Sequence, residues 1–323
     1  MKSQLLRMLE SSSGEFISGG AVARDLAVSR NAVWKAAQSL RASGYDVRSD
    51  ARKGYALMPG GDILSEEGIS TYLRGDAAFR VRVMSSAGST NDVLREMAAK
   101  GSPEGHLLAA GRQTAGKGRM GRQFFSPEGS GAYFSLLLRP RCPVSEAVLI
   151  TSAAAVAAAR AIEDIYHVSV GIKWVNDLLV GQKKVCGILT EAALNMEYGL
   201  IESAVLGIGV NISAPAGGFP VELHDKATQL LQGNDSRAGE RCKLIAATVN
   251  NFWDFYRNLA GREFLAEYRS RSVVLGRDVL VLSGDAPRRA RALGIDDNCR
   301  LIVQYFDGGE AALDSGEISV VPE

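Results

Sequence analysis

Short apolar stripes separated by glycine and serine breaks run through the first sixty residues. Leu5, Leu6 and Leu9 recur at helical spacing, and Ala21, Val22 and Leu26 repeat the pattern after Ser18-Gly19-Gly20. Ser29 stands as an N-cap before a helix through Arg41, with Val33, Ala37 and Leu40 facing inward and Gly44 ending it. Residues 45–48 and 54–57 alternate like two short strands around a basic tip, Arg52-Lys53. Helix, tight turn, helix and hairpin is the layout of a winged helix-turn-helix, which lays its second helix in the DNA major groove. Arg30, Asn31, Trp34 and Lys35 occupy the exposed half of that helix, and Arg52 and Lys53 are placed to touch phosphate. A three-helix interaction module with a solvated basic face would show the same pattern.

Pro59-Gly60-Gly61 reads as a joint, after which the pattern mixes strands and helices in the α+β manner. Ser89-Thr90-Asn91 opens a helix with a Val93, Leu94, Met97, Ala98 stripe that Gly101 ends. Residues 106–110 and 131–139 read as strands, and 145–162 as an alanine-rich helix packed against a sheet. Strands follow at 168–174, 178–180, 185–192 and 204–212, then helices at 240–259 and 262–268. From Arg271 the pattern shortens to alternating segments at 278–282, 288–295, 299–305 and 317–320, a small all-β barrel or sandwich. The expected modules are 1–60, 62–269 and 270–323.

The chain has 323 residues, 46% hydrophobic and 23% charged, as in soluble globular proteins of two or three domains. Lys2, Arg7 and Glu10 interrupt the N-terminus, and no later apolar run is expected to cross a bilayer, so no membrane contact and a cytoplasmic location are expected. Cys142, Cys186, Cys242 and Cys299 are scattered, and His106, His167 and His224 form no cluster with them. Reduced buried thiols and no protein-held metal are the expectation. Residues 1–60 hold nine Lys and Arg against five Asp and Glu, a surplus that permits nucleic acid without proving it.

The candidate chemistry centres on Gly116-Lys117-Gly118-Arg119-Met120-Gly121-Arg122. As G-x-G-x-x-G it lacks the helix that should follow, and as a Walker loop from Gly111 it has Gly118 where Ser or Thr must hold magnesium. What remains is a cationic glycine-rich loop able to close on an anion. Lys173-Trp174-Val175-Asn176-Asp177 and Lys184-Val185-Cys186-Gly187-Ile188 put lysines at strand mouths. Gly207 and Gly209, in an apolar strand ending at Asn211, suggest close approach by a ligand or another backbone, or a bulge.

Together with Ser89-Thr90-Asn91 and Gln113-Thr114-Ala115, these motifs match in order and spacing, over essentially the full length, the family of bifunctional biotin protein ligases and biotin-operon repressors, which the chain resembles. The resemblance implies a winged helix-turn-helix, a mixed-sheet ligase core and an SH3-like C-terminal barrel. It implies that biotin and ATP, with Mg2+ held mainly by phosphates, give biotinyl-5′-adenylate, which then acylates a lysine of a biotin carboxyl carrier domain. By the match, Lys184, Arg119 and Asp177 are catalytic. Ser89, Thr90, Asn91, Gln113, Lys117, Arg119, Gly187, Gly207 and Gly209 bind biotin, and Lys117, Arg119, Arg122, Lys184 and Asn211 bind ATP. The adenylate-bound form is expected to dimerise and to bind the biotin-operon operator DNA. Lys117, Met120 and Val175 depart from the family's usual Arg, Arg and Pro; Lys117 keeps charge but loses bidentate geometry. Three rivals stand beside this reading: a lipoate or octanoate protein ligase, whose linear acyl group needs no ureido partners, a biotin-sensing regulator without catalysis, and a ligase whose N-terminal module only organises the pocket.

Overall fold

A computed structural model describes residues 1–12, 14–58, 62–75, 77–140, 142–195, 197–231, 240–282, 286–314 and 316–320. The expected joint at Pro59-Gly60-Gly61 lies outside the described residues.

The N-terminal helices are α1 (Lys2–Ser11), α2 (Gly19–Asp25) and α3 (Arg30–Ala42). Their apolar stripes close on one another, with Leu5, Leu6, Leu9, Val22, Val33, Ala37 and Leu40 all buried. Ser29 caps α3 as expected, its Oγ accepting from Ala32 N–H at 3.1 Å. Strands β1 (Val47–Asp50) and β2 (Gly54–Leu57) form the antiparallel wing. β1 starts two residues later than its alternation suggests. Its tip is set by Asp50, whose carboxylate accepts the Arg52 and Lys53 N–H groups at 2.8 Å each. These bonds hold the Asp50 carboxyl below the usual carboxylate range.

Helix α4 (Glu66–Tyr72) follows and carries the N-terminal unit. Lys2 pairs with Glu67 at 3.0 Å, Tyr45 Oη lies 2.8 Å from Ser65 Oγ, Tyr72 donates to Glu10, and Arg7 reaches the Thr71 carbonyl. The winged unit is thus bonded to the core through α1 and α4.

The core sheet contains β3 (Arg80–Met84), β4 (His106–Ala110), β5 (Gly131–Leu138), β6 (Gly171–Lys173), β7 (Asp177–Val180), β8 (Lys183–Asn195) and β9 (Leu200–Asn211). Its order is β3-β4-β5-β9-β8-β7-β6, with only β3 and β4 parallel. α5 (Thr90–Ala99) seals one face through Leu94 and Ala98 against Leu108, Leu137 and Val205. α6 (Ala147–Tyr166), α7 (Glu240–Arg257) and α8 (Leu265–Ser270) cover the other. Covered on both faces, β5 is apolar without alternation.

The stretch 144–166, including α6, is apolar and long enough by composition to cross a bilayer, contrary to the sequence expectation. In the fold 72% of its most apolar window is buried within the protein, under the sheet and against α7.

The tail forms an antiparallel sheet ordered β13-β12-β11-β10-β14, from β10 (Asp278–Leu282), β11 (Arg288–Ile295), β12 (Leu301–Tyr305), β13 (Glu310–Leu313) and β14 (Glu317–Val320). It docks on the core where Trp174 Nε1 donates to the Cys299 carbonyl at 2.9 Å and Ser272 bridges Ile172. The chain is α+β, as expected, but α4, β3 and β13 lie outside the elements read from the pattern. β6 is shorter than the expected strand because His167 ends α6 in a left-handed conformation and residues 168–170 run as a link, Val170 N–H bonding Glu163.

Candidate functional site

An open cleft lies over the centre of the sheet. Its floor is the glycine-rich stretch of β8 and β9, Gly187, Ile188, Leu189, Gly207, Ile208 and Gly209, with Phe134 of β5. Ser89, Thr90 and Asn91 enter from the start of α5, Gln113 from the segment after β4, and Lys117, Gly118, Arg119 and Phe124 from the glycine-rich loop. Asn176 and Lys184 close one end. Every residue assigned to biotin by the resemblance therefore borders this cleft.

The glycine-rich loop folds as a small hairpin rather than leading into a long helix. Gly118 N–H donates to the Arg122 carbonyl at 2.7 Å and Phe124 N–H to the Gly116 carbonyl at 2.9 Å, with a 3-10 turn at Arg119–Gly121 between them. Met120 sits at φ 55°, exposed at the tip. This geometry lets the loop arch over the sheet and drop Phe124 onto it.

The floor glycines have a steric cause, and it is not a bulge. A Cβ on Gly209 would lie 2.5 Å from the Phe124 ring, and one on Gly187 would lie 2.9 Å from Lys184 Nζ. A Cβ on Gly207 would lie 2.2 Å from Asn91 Oδ1. Side chains from above, rather than a second backbone, occupy the space that these glycines leave.

Buried polar groups under the cleft join in one hydrogen-bonded network. Thr90 N–H and Oγ1 both donate to Gln113 Oε1, at 2.9 and 3.1 Å. Gln113 Nε2 donates to Ser126 Oγ at 3.0 Å, which donates to the Phe124 carbonyl at 3.0 Å. Ser135 Oγ lies 2.7 Å from Thr90 Oγ1 and 2.6 Å from Asn91 Oδ1, and Asn91 Nδ2 donates to Glu191 Oε2 at 2.7 Å. Satisfying every partner makes such a network rigid.

Two lysines and an arginine bring positive charge to the cleft. Lys184 Nζ is 2.6 Å from Asp177 Oδ1 and 5.8 Å from the centre of the Phe124 ring. Arg119 donates to Asn176 Oδ1 at 3.3 Å, and Asn176 in turn donates to the Ile188 carbonyl at 2.8 Å. Lys117 pairs with Asp92 and lies 4.0 Å from Glu191; Arg95 bonds the same two carboxylates. An apolar floor bordered by aimed polar groups and by cations suits a ligand carrying a polar head and an acid tail.

Residues 83–211 match the Biotin/lipoate A/B protein ligase family, residues 2–56 an HTH domain, and residues 274–321 the biotin protein ligase C-terminal domain. The bifunctional ligase/repressor BirA of Bacillus subtilis (strain 168) is 35% identical over 315 residues, 95% of either chain. This chain belongs to the bifunctional ligase/repressor family. BirA of Escherichia coli (strain K12) is 27% identical over 94% of this chain and 95% of its own. A solved biotin protein ligase from Aquifex aeolicus, in complex with biotin and ATP, is similar with a TM-score of 0.61 at 27% identity, covering 76% of this chain and 99% of that one.

Two residues assigned to ATP by the resemblance stand away from the cleft lining. Arg122 is exposed beyond the loop turn. Asn211 is buried, and its Nδ2 donates to the Thr228 carbonyl at 3.1 Å, tying the 224–231 segment to the end of β9. Asp177 reaches the cleft through its ion pair with Lys184. Conversely Phe124, Asn176, Ser126, Ser135 and Glu191 belong to the site or its support and were not among the expected site residues. Asn176 stood within a matched motif, whereas Ser135 and Glu191 carry no local signal, because only sheet register puts them under Asn91.

In the winged unit, Arg30, Asn31, Trp34 and Lys35 are all exposed on α3, and Trp34 is 50% exposed although it is the largest side chain there. Arg52 and Lys53 are exposed at the wing tip, with Lys53 Nζ 5.9 Å from the Phe16 ring centre. The six residues thus lie on the helix and wing that a helix-turn-helix presents to DNA.

Proposed function

We propose that this chain is an ATP-dependent biotin protein ligase that also acts as a biotin-responsive transcriptional repressor, built as modules 1–60, 62–269 and 270–323. The observation that carries the ligase reading is that Lys184, Arg119 and Lys117 border the same cleft as Ser89, Thr90 and Gln113. Adenylation brings a carboxylate to an α-phosphate, two anions that repel unless fixed cations lie between them. Lys184 bridges the two, and Arg119 and Lys117 take up phosphate charge. Each cation is already held by a neighbour, Lys184 by Asp177 and Lys117 by Asp92. The ligand anions would exchange partners with these carboxylates.

Freed of Lys184, Asp177 is placed to orient or deprotonate the acceptor lysine that attacks the mixed anhydride. Among the described residues no group of three or more His, Cys, Asp and Glu side chains could hold a metal ion. Magnesium would arrive on the triphosphate, where it offsets phosphate charge. The acceptor is a biotin carboxyl carrier domain, and the adenylate-bound chain forms a homodimer that binds operator DNA through α3 and the wing. A cytoplasmic location accords with a DNA partner and with Cys142, Cys186, Cys242 and Cys299 all free and buried.

The test is mass spectrometry of a carrier domain incubated with the protein, ATP and either biotin or lipoate. A mass increase of one biotinyl group supports the reading; a lipoyl adduct alone assigns the chain to the other branch of its family, and no adduct removes the ligase function. Gel shift of a biotin-operon promoter, with and without biotin and ATP, separates repression from a purely structural N-terminal module.

A further inference from the structure

The loop that carries Asn176 to the cleft is fastened at both of its preceding residues. β6 and β7 pair Lys173 with Asp177, so Trp174, Val175 and Asn176 form the hairpin loop between them. Asn176 is anchored to β8: its Nδ2 donates to the Ile188 carbonyl at 2.8 Å, and its own carbonyl accepts the Ile188 N–H at 3.0 Å. Its Oδ1 accepts from Arg119 at 3.3 Å. Trp174 and Val175 are buried, and each is bonded outside the core sheet. Trp174 Nε1 donates to the Cys299 carbonyl, and Tyr268 Oη donates to the Val175 carbonyl, both at 2.9 Å. Tyr268 is fully buried on α8, and burial pushes its hydroxyl pKa up, so the group keeps the proton it donates.

The two fastenings belong to one cross-tied unit. Arg269, next to Tyr268, donates to the Ile295 carbonyl at 2.8 Å and to Asp297 at 2.7 Å, which ties α8 to the turn between β11 and β12 that holds Cys299. Asp296 closes that turn by accepting from the Asn298 and Arg300 N–H groups at 2.9 and 2.8 Å. A peptide group is planar, so holding the Val175 carbonyl also sets the nitrogen and Cα of Asn176. We propose that Tyr268, which does not border the cleft, is a positioning residue: through the Val175 carbonyl it fixes Asn176, and through Asn176 the guanidinium of Arg119. The inference rests on the ligase reading, in which Arg119 takes up phosphate charge and retains the adenylate, and deepens it. A cation aimed at phosphate works only while its support holds it in place.

The experiment follows release of preformed, radiolabelled biotinyl-5′-adenylate from the full-length protein into excess unlabelled adenylate. A first-order release rate does not depend on how much of the protein is folded, so a purely structural loss leaves it unchanged, whereas a misplaced Arg119 raises it. Tyr268→Phe keeps the ring, deletes one hydroxyl, and should release adenylate about tenfold faster, a hydrogen bond to a buried carbonyl being lost. Arg119→Gly should also release faster than wild type. Adding Tyr268→Phe to it should accelerate release by less than about twofold more, since the hydroxyl acts through the guanidinium already removed. Tyr256→Phe deletes a hydroxyl that donates to Glu104 at 2.9 Å and does not border the cleft, and should release at the wild-type rate. Trp174→Phe removes the bond to Cys299, should shift release in the same direction as Tyr268→Phe, and stands in for it should that variant not fold. Wild-type release from Tyr268→Phe, or from Trp174→Phe in its place, overturns the proposal. So does an acceleration repeated in full on Arg119→Gly, or a Tyr256→Phe protein as fast as Tyr268→Phe. If wild type neither forms nor binds the adenylate, the ligase reading fails and the inference falls with it; if wild type holds adenylate and the Tyr268 hydroxyl leaves its release unmoved, the inference alone fails.

Discussion

Gly207→Ala tests the packing of the cleft floor most directly. A methyl at this position would lie 2.2 Å from Asn91 Oδ1 and 2.9 Å from its Cγ, where ordinary contact begins at 3.4 Å. Asn91 cannot yield freely, since Glu191 holds its Nδ2 at 2.7 Å and Ser135 its Oδ1 at 2.6 Å. Overpacking costs about 1–3 kcal/mol, and pulling the amide off a charged acceptor adds about 1.5–3 kcal/mol. Replacing a strand glycine returns about 0.5–1 kcal/mol. The expected net destabilisation is about 2–5 kcal/mol. In an Asn91→Ala background the three atoms nearest the new methyl are gone, so the same substitution should be neutral or stabilising by up to about 1 kcal/mol. Urea unfolding of the four proteins, followed by circular dichroism and tryptophan fluorescence, closes the cycle. A Gly207→Ala protein as stable as wild type, or an equal loss in both backgrounds, would refute the claim that Asn91 requires this glycine.

Lys184→Ala should lower pyrophosphate exchange by at least about 100-fold, the scale of removing one aimed charge-stabilising group; undiminished exchange would take Lys184 out of the reaction. Arg119→Gly should release adenylate into solution, read as biotinylation of bystander proteins that wild type leaves unmodified. Removing Arg52 or Lys53 from the wing should weaken DNA binding evenly across sequences and reduce the salt slope by about one per charge, whereas losses confined to one sequence would make them base readers. Arg271 donates to both oxygens of Glu163, at 2.7 and 2.8 Å, and these bonds hold the carboxyl below its usual range. A lowered folded pKa stabilises above the unfolded value of about 4.3 and loses that contribution as pH falls through the folded one. Glu163→Gln should therefore cost about 1.5–3 kcal/mol at pH 7, with the gap to wild type closing on acidification below pH ~4; a gap that widens there contradicts the pairing.

Much of the architecture could be read in order along the chain, because helix and strand periods are local. The Ser29 cap, the α3 stripe, the alanine-rich α6 and the apolar β9 each declare themselves within a dozen residues. The elements that escaped are short or lie at sheet edges: α4 carries Gly68 at its centre, where a Cβ would strike Cys242 Sγ at 2.7 Å, and β3 and β13 are edge strands. Their existence depends on what they pack against rather than on their own pattern.

At the site, the resemblance that the sequence motifs carry supplied the cleft-lining groups Ser89, Thr90, Gln113, Lys117, Arg119 and Lys184. Tertiary structure decided which of these groups share a space, and it left Arg122 and Asn211 outside the lining. It also decided why Gly187, Gly207 and Gly209 are glycines and which polar atoms donate. Those properties arise from contacts between β5, β8, β9, α5 and the loop, which lie more than a hundred residues apart in the chain at their widest (Asn91 to Gly207). Hydrogen-bond polarity belongs to a closed circuit of partners, and no segment contains the whole circuit.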